Sequence, residues 1–117
     1  MQIQTNTDSS IKGNNTLSQQ VEAVVEGALG RFGDRITRVE VHLSDLNRNK
    51  SGDDDKRCLM EARLAGLQPI AVSHQAATLQ QAIDGAAEKL ERSLDSTLGR
   101  LDDRRTPPPA GEAGPLD

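Results

Sequence analysis

Residues 31–43 restrict the fold of this chain more than any other stretch, because the spacing of apolar residues changes there. A helical pattern of apolar residues leads into this stretch and ends at Gly30 and Gly33. Glycine favours the backbone conformation that terminates a helix. From Ile36 onward apolar and polar residues alternate, which is the period of a half-buried strand. The pattern therefore predicts an amphipathic helix joined by a tight turn to a strand with one face against a core.

Three stretches of alternating residues, separated by turns or polar loops, predict an antiparallel meander. In residues 36–44 the side chains predicted to face the core are Thr37, Val39, Val41 and Leu43, and those predicted to face outward are Arg38, Glu40, His42 and Ser44. The core-facing side chains of the other two stretches are Cys58, Met60, Ala62 and Leu64, then Ile70 and Val72. An alternating polar stretch at residues 2–6 predicts a further short strand.

Two helices are predicted where apolar residues recur at helical spacing. Each is predicted to start at a capping box, and the two boxes are Thr16 with Gln19 and Thr78 with Gln81. The second helix is predicted to extend to about residue 102, and Gly85 within it would allow a close approach to the sheet. The order β-α-β-β-β-α belongs to the α+β class, and its simplest packing is a four-stranded sheet with two helices packed on one face.

Composition indicates one domain, with residues 1–104 folded and residues 105–117 a disordered, Pro-rich tail. Phe32 is the single aromatic residue, so the core must be aliphatic. The net charge is −4 and no segment is a basic block, which weakens the case for a nucleic-acid partner. One cysteine cannot form an internal disulfide, and neither a secretion signal nor a membrane-spanning apolar run is found, so we expect a cytoplasmic protein with no membrane partner.

The sequence holds no arrangement of residues typical of catalysis, and we expect neither enzymatic activity nor a cofactor. His42 and His74 lack neighbouring ligands at the spacing of a metal site and are predicted to face solvent. Residues 53–55 are aspartates without the glycine and distal glutamate of a calcium loop, which favours a hydrated hairpin loop. Cys58 is predicted to be a core residue rather than a nucleophile, because no histidine lies beside it.

Two runs of residues resemble the short form of the ribosome hibernation-promoting factor family, whose members are also called ribosome-associated translation inhibitors or sigma-factor modulation proteins. The runs are residues 32–41, FGDRITRVEV, and residues 82–94, AIDGAAEKLERSL. Similar runs in the family hold an aromatic residue and an acidic-Arg pair before an apolar strand, and an Ala-Ile-Asp motif before a Lys-Leu-x-Arg helix. Order and spacing match, and the resemblance extends over about residues 1–105.

This resemblance implies a monomeric inhibitor of translation that acts in the stress response. Its partner would be the RNA of the small ribosomal subunit, in the channel that messenger and transfer RNA otherwise occupy. The residues expected to contact RNA are Arg35, Lys89 and Arg92 by match to family positions, and Arg31, Arg38, Arg63 and Arg100, with Arg104 and Arg105, by charge. The alternative for each is an ordinary surface ion pair, as the spacing of Glu88 and Arg92 illustrates.

The end of the second helix departs from the family pattern. Where a run of lysines is typical, residues 94–103 hold one arginine and three aspartates. Fewer phosphate contacts release fewer counterions and so weaken binding to RNA. The alternative function is therefore a regulatory module of the same fold that binds another protein and has lost the RNA-binding surface.

Overall fold

The computed structural model of the protein describes residues 1–8, 14–46 and 55–105, the last five as backbone. Its elements in chain order are β1 (Gln2–Thr7), α1 (Asn15–Leu29), a 3-10 segment (Gly30–Arg35), β2 (Ile36–Asp45), β3 (Lys56–Leu64), β4 (Ile70–Ala76) and α2 (Leu79–Arg105). The predicted order and the α+β class are confirmed, and α2 continues to Arg105, just beyond its predicted end. The rest of the predicted tail, residues 106–117, lies outside the described residues.

The strands form one mixed sheet in the order β1-β2-β3-β4, with β1 and β4 at its edges. β1 pairs with β2 in parallel, because α1 carries the chain back to the end of the sheet where β1 began. The pairs β2–β3 and β3–β4 are antiparallel, which confirms the predicted meander. Both helices pack against the same face of the sheet, and the other face is open.

The core lies between the sheet and the two helices and is almost wholly aliphatic. The strands contribute Ile36, Val39, Val41, Leu43, Cys58, Met60, Ala62, Leu64 and Ala76, and the helices contribute Leu17, Val21, Val25, Leu29, Ala82, Ile83, Ala86, Ala87, Leu90, Leu94 and Leu98. Cys58 is fully buried, as predicted, and desolvation raises the pKa of its thiol to about 12. The thiol is therefore protonated at neutral pH and is unsuited to act as a nucleophile.

A β-bulge near the start of β2 corrects one predicted face. The pairing of β2 with β3 shifts register between Ile36 and Arg38, so two consecutive residues point outward there. Ile36 is 1% exposed and belongs to the core, whereas Thr37 is exposed and its hydroxyl donates to the carbonyl of Arg63 at 3.1 Å. The prediction that Thr37 faces the core is wrong, because strict alternation cannot anticipate an inserted residue.

The start of α1 differs from the prediction, and the start of α2 agrees with it. Asn14 caps α1, since its Oδ1 accepts a hydrogen bond from the amide of Leu17 at 2.8 Å, so the capping box at Thr16 is wrong. Asparagine is the stronger capping residue of the two, and it comes first along the chain. At α2 the hydroxyl of Thr78 accepts from the amide of Gln81 at 3.1 Å, as predicted.

His74 and Gly85 set the distance between α2 and the sheet. His74 of β4 lies opposite Cys58 of β3, on the inner face of the sheet. Its imidazole lies directly over Gly85 of α2. The predicted close approach at Gly85 is confirmed. The prediction that His74 faces solvent is wrong, because His74 alternates in step with Ile70 and Val72 and so lies on the inner face, where Gly85 leaves room for its ring. His42, in contrast, is exposed as predicted.

Replacing Gly85 with Ala is expected to destabilise the domain by about 1–2 kcal/mol. A Cβ at this position overlaps the His74 ring, and overpacking of this kind outweighs the ~1 kcal/mol that alanine gains over glycine in a helix. Gly99→Ala is the matched control, because a Cβ there meets no atom within 4 Å and should stabilise α2. Urea unfolding would measure both, and equal stabilisation by the two substitutions would contradict the packing of His74 on Gly85.

Candidate nucleic-acid interface

Helix α2 runs antiparallel to β4 and passes the end of the sheet where β4 begins. Gly85 lies at His74, and one turn later the Lys89 ammonium donates to the carbonyl of Ser73 at 3.0 Å. Further along, Arg92 and the residues after it lie beside Ile70, the first residue of β4. The C-terminal half of α2 is therefore at the end of the sheet where β4 starts.

Several predicted RNA-binding residues meet at this end of the sheet. β2 begins and β3 ends there, since the amide of Ala65 donates to the carbonyl of Arg35 at 3.1 Å and Arg38 pairs across the strands with Arg63. We call this region the basic end, and its residues are Arg35, Arg38, Arg63, Arg92 and Arg100. The basic end is formed by residues that are far apart in the sequence. It therefore exists although no segment of the chain is itself a basic block.

On the open face of the sheet, Glu40 forms ion pairs with two residues of the basic end, Arg38 and Arg63. Its carboxylate lies 3.3 Å from Arg38 Nε and 3.4 Å from Arg63 Nε, and 3.7 Å from His42 Nε2. Glu61, directly opposite Glu40, lies 3.6 Å from Arg63 Nη2. Arg38 Nε is buried and makes no hydrogen bond of good geometry. Two arginines therefore share two carboxylates, while parts of both guanidinium groups remain exposed.

The polar surface of α2 is divided by charge into two flanks. With 3.6 residues per turn, the residues nearest β4 are Lys89, Arg92, Ser93, Ser96 and Arg100, which we call the β4 flank. The opposite side, the α1 flank, consists of Asp84, Glu88, Glu91 and Asp95. One ion pair joins the flanks, between Arg92 Nη2 and Glu88 Oε1 at 3.0 Å, and both of its side chains are largely exposed.

Arg31 and Lys89 make contacts that hold elements together. Arg31 Nε lies 3.4 Å from Glu91 and its Nη2 lies 3.4 Å from Asp95, so it joins the 3-10 segment to the α1 flank of α2. Its guanidinium also lies 4.4 Å from the centroid of the Phe32 ring. The hydrogen bond from Lys89 to the carbonyl of Ser73 connects α2 with the edge strand β4. The structure does not bring these two residues into the basic end, and RNA contact stays a prediction for the whole predicted set.

A groove beside the basic end is lined in part by three hydroxyl residues that the sequence did not single out. Its volume is about 380 Å³, and its walls are Ile70, Arg92, Ser93, Ser96, Thr97 and Arg100. Ser93, Ser96 and Thr97 recur at helical spacing between the two arginines, and that spacing is the signal from which this surface could have been found.

The other end of the sheet holds paired charges. Lys56 Nζ donates to Asp55 Oδ1 at 3.1 Å and lies 3.4 Å from Asp45 Oδ2. The hydrogen bond to Asp55, together with the charge of Asp45, raises the pKa of Lys56. Asp55 is itself buried at the base of the β2–β3 hairpin, whereas the remainder of the predicted hydrated loop, residues 47–54, lies outside the described residues. Arg57, also at this end, is exposed.

Among residues 1–8, 14–46 and 55–105, no group of three or more His, Cys, Asp and Glu side chains is placed to hold a metal ion. Neither α1 nor α2 combines the length with the apolar composition that a bilayer span requires.

The fold is that of a small α+β domain with several arginines at one end of its sheet. Residues 10–102 match the family described as sigma 54 modulation protein / S30EA ribosomal protein, and the chain belongs to that family. The resemblance inferred from the two sequence runs is thereby confirmed. A comparison with curated proteins found no match.

Two solved structures are similar to this chain in fold. The N-terminal domain of Thermus thermophilus Protein Y is 23% identical, with a TM-score of 0.67 over 83% of this chain and 99% of that domain. A ribosomal subunit interface protein from Coxiella burnetii is 18% identical, with a TM-score of 0.69 over 85% of this chain and 99% of that protein. At these identities the likeness establishes the fold.

Proposed function

We propose that this protein is a cytoplasmic inhibitor of translation that binds the small ribosomal subunit. In this proposal the domain occupies the RNA channel that messenger and transfer RNA would use, and it acts by steric exclusion rather than by catalysis. Membership of the sigma 54 modulation protein / S30EA ribosomal protein family supports a ribosomal partner. The observation that carries the proposal is that five arginines from four separate elements lie at the same end of the sheet, with Arg38 and Arg63 on its open face and Arg92 and Arg100 on α2.

The chemistry of the basic end favours contact with phosphates rather than with bases. Phe32 is the only phenylalanine, tyrosine or tryptophan of the chain and is 9% exposed, so no large aromatic side chain is available for bases to stack on. Guanidinium groups instead suit the oxygens of a phosphate, which they bind with two parallel hydrogen bonds. Binding would accordingly be insensitive to RNA sequence and would follow the shape of the backbone.

Neighbouring carboxylates reduce this affinity without abolishing it. An exposed ion pair such as Arg92–Glu88 contributes at most about 1 kcal/mol. A hydrogen bond to a charged group contributes about 1.5–3 kcal/mol, and neutralising a phosphate also releases a counterion. Exchange of a carboxylate for a phosphate is therefore favourable at the exposed arginines, and least favourable at Arg38, whose Nε is buried beside Glu40.

Sedimentation of purified ribosomal subunits with the full chain tests this proposal. We expect the protein in the small-subunit fraction, with an affinity that falls steeply between about 50 and 200 mM salt. With three to five phosphate contacts, the logarithm of the affinity should fall by about 2–4 per tenfold rise in salt. Absence from the subunit fractions at low salt would contradict the proposal.

The α1 flank supports a second candidate, a regulatory module that binds another protein. Of its four carboxylates only Glu88 pairs with an arginine of the basic end, and the net charge of the chain is −4. A partner of this kind would co-purify after nuclease treatment, and its affinity would not show the counterion-release slope expected for RNA. A flat salt dependence with a nuclease-resistant partner would favour this candidate over the first.

A further inference from the structure

The groove between the start of β4 and the β4 flank has an unusual lining for a surface of an acidic protein. All five of its polar side chains are hydrogen-bond donors, two of them guanidinium groups and three of them hydroxyl groups. The remaining wall is the partly buried side chain of Ile70. Since no carboxylate is among the described residues that line the groove, its chemistry suits an anion with several oxygen acceptors.

The donors of the groove are held close together by α2 and are free to exchange partners. Arg100 Nη1 donates to the hydroxyl of Ser96 at 2.7 Å, which places a guanidinium and a hydroxyl side by side. Arg92, at the other end of the groove, has an exposed ion pair with Glu88 outside it. Neither contact is deeply buried, so an incoming anion replaces them at small cost.

We propose that this groove binds one nucleotide unit through its phosphate group. A volume of about 380 Å³ exceeds the needs of a phosphate alone and lies at the lower end of the range for small-molecule sites, about 300–1,000 Å³. Ile70 offers an apolar wall, and the planar guanidinium of Arg100 offers a surface on which a base can stack. The phosphate can come from an RNA chain, in which case the inference rests on the proposed function, or from a free nucleotide.

Titration of the full chain, followed by the NMR signals of its backbone amides, tests this inference. The probes are adenosine monophosphate, a single-stranded RNA of about 12 nucleotides, and adenosine, which lacks the phosphate. We expect saturable shifts of the amides of Ser93, Ser96, Thr97 and Arg100 with a phosphate-bearing probe and none with adenosine.

Two variants and one control test whether the phosphate-bearing probes bind in the groove. Ser96→Glu introduces a carboxylate among the donors and should weaken binding at least tenfold, whereas Gln19→Glu adds the same charge on α1 and should leave it unchanged. Arg100→Gln removes a donor without adding charge and should also weaken binding. Thermal melts of all three variants would show whether they remain folded.

Each outcome has a defined meaning. Shifts with both phosphate probes, or with RNA alone, support the groove, and RNA alone identifies the source as a polynucleotide. Shifts with adenosine monophosphate alone support the groove as a free-nucleotide site and count against RNA contact there. No shifts at these amides, or equal binding by wild type and Ser96→Glu, overturns the inference. The proposed function fails separately, if the wild-type chain does not sediment with the small subunit.

Discussion

Replacing Val41 with Asp is expected to abolish cooperative folding of the domain. Val41 is 0% exposed at the centre of β2, so the substitution removes a buried apolar side chain and puts a carboxyl group in its place. The lost burial and the unpaired polar group together cost about 4 kcal/mol or more, against a total stability of about 5–15 kcal/mol for a domain of this kind. Thermal melts followed by circular dichroism would show a lost or strongly lowered transition.

Thr37→Asp is the matched control, because the same substitution is made in the same strand. The bulge turns Thr37 outward, where a carboxylate is solvated and lies near the arginines of the open face. Loss of the hydroxyl's bond to the Arg63 carbonyl should lower the free energy of unfolding by about 1 kcal/mol or less. If Thr37→Asp unfolded the protein as Val41→Asp does, the register of β2 described above would be incorrect.

Reversing two charges of the basic end, in the variant Arg35→Glu/Arg92→Glu, is expected to weaken ribosome association about 100-fold or more. Two hydrogen bonds to phosphate contribute at least about 3 kcal/mol together, which corresponds to a factor of about 100 in affinity. The new carboxylates would also repel the RNA backbone. Sedimentation with small subunits at fixed salt would measure the loss, and the salt dependence of the remaining binding should become shallower.

Arg57→Glu serves as the control for this experiment. Arg57 is an exposed arginine of β3 at the opposite end of the sheet, so its reversal changes the net charge without touching the basic end. We expect it to retain most of the association. Equal losses from the Arg57 variant and the double variant would mean that overall charge, and not a defined surface, governs binding.

The architecture could be predicted from the sequence because its signals are local. Alternation identified the meander, and helical spacing identified both helices and the stripe of α2 that contacts the core. The two errors in predicted facing have different causes. A register shift against β3 interrupts the alternation and turns Thr37 outward, whereas His74 follows the alternation of Ile70 and Val72 onto the inner face, where Gly85 leaves space for its ring.

The candidate site was less predictable, since it depends on how distant segments are placed. The arginines of the site are scattered along the sequence, and no segment that holds them has an excess of basic over acidic residues. Only the antiparallel course of α2 along β4 brings Arg92 and Arg100 to the end of the sheet that holds Arg38 and Arg63. The ion-pair partners also could not be read from spacing alone, since Arg31 pairs with Glu91 and Asp95 of α2, which lie about 60 residues further along the chain.

The opposite charges on the two flanks of α2 give the domain a transverse dipole. Near a polyanion, such a dipole rotates the molecule so that the cationic side leads and the acidic side trails. At separations much larger than the Debye length, about 8 Å at physiological ionic strength, the overall negative charge is screened and offers little resistance. Encounters with a polyanion should therefore select a narrow range of poses before any contact forms.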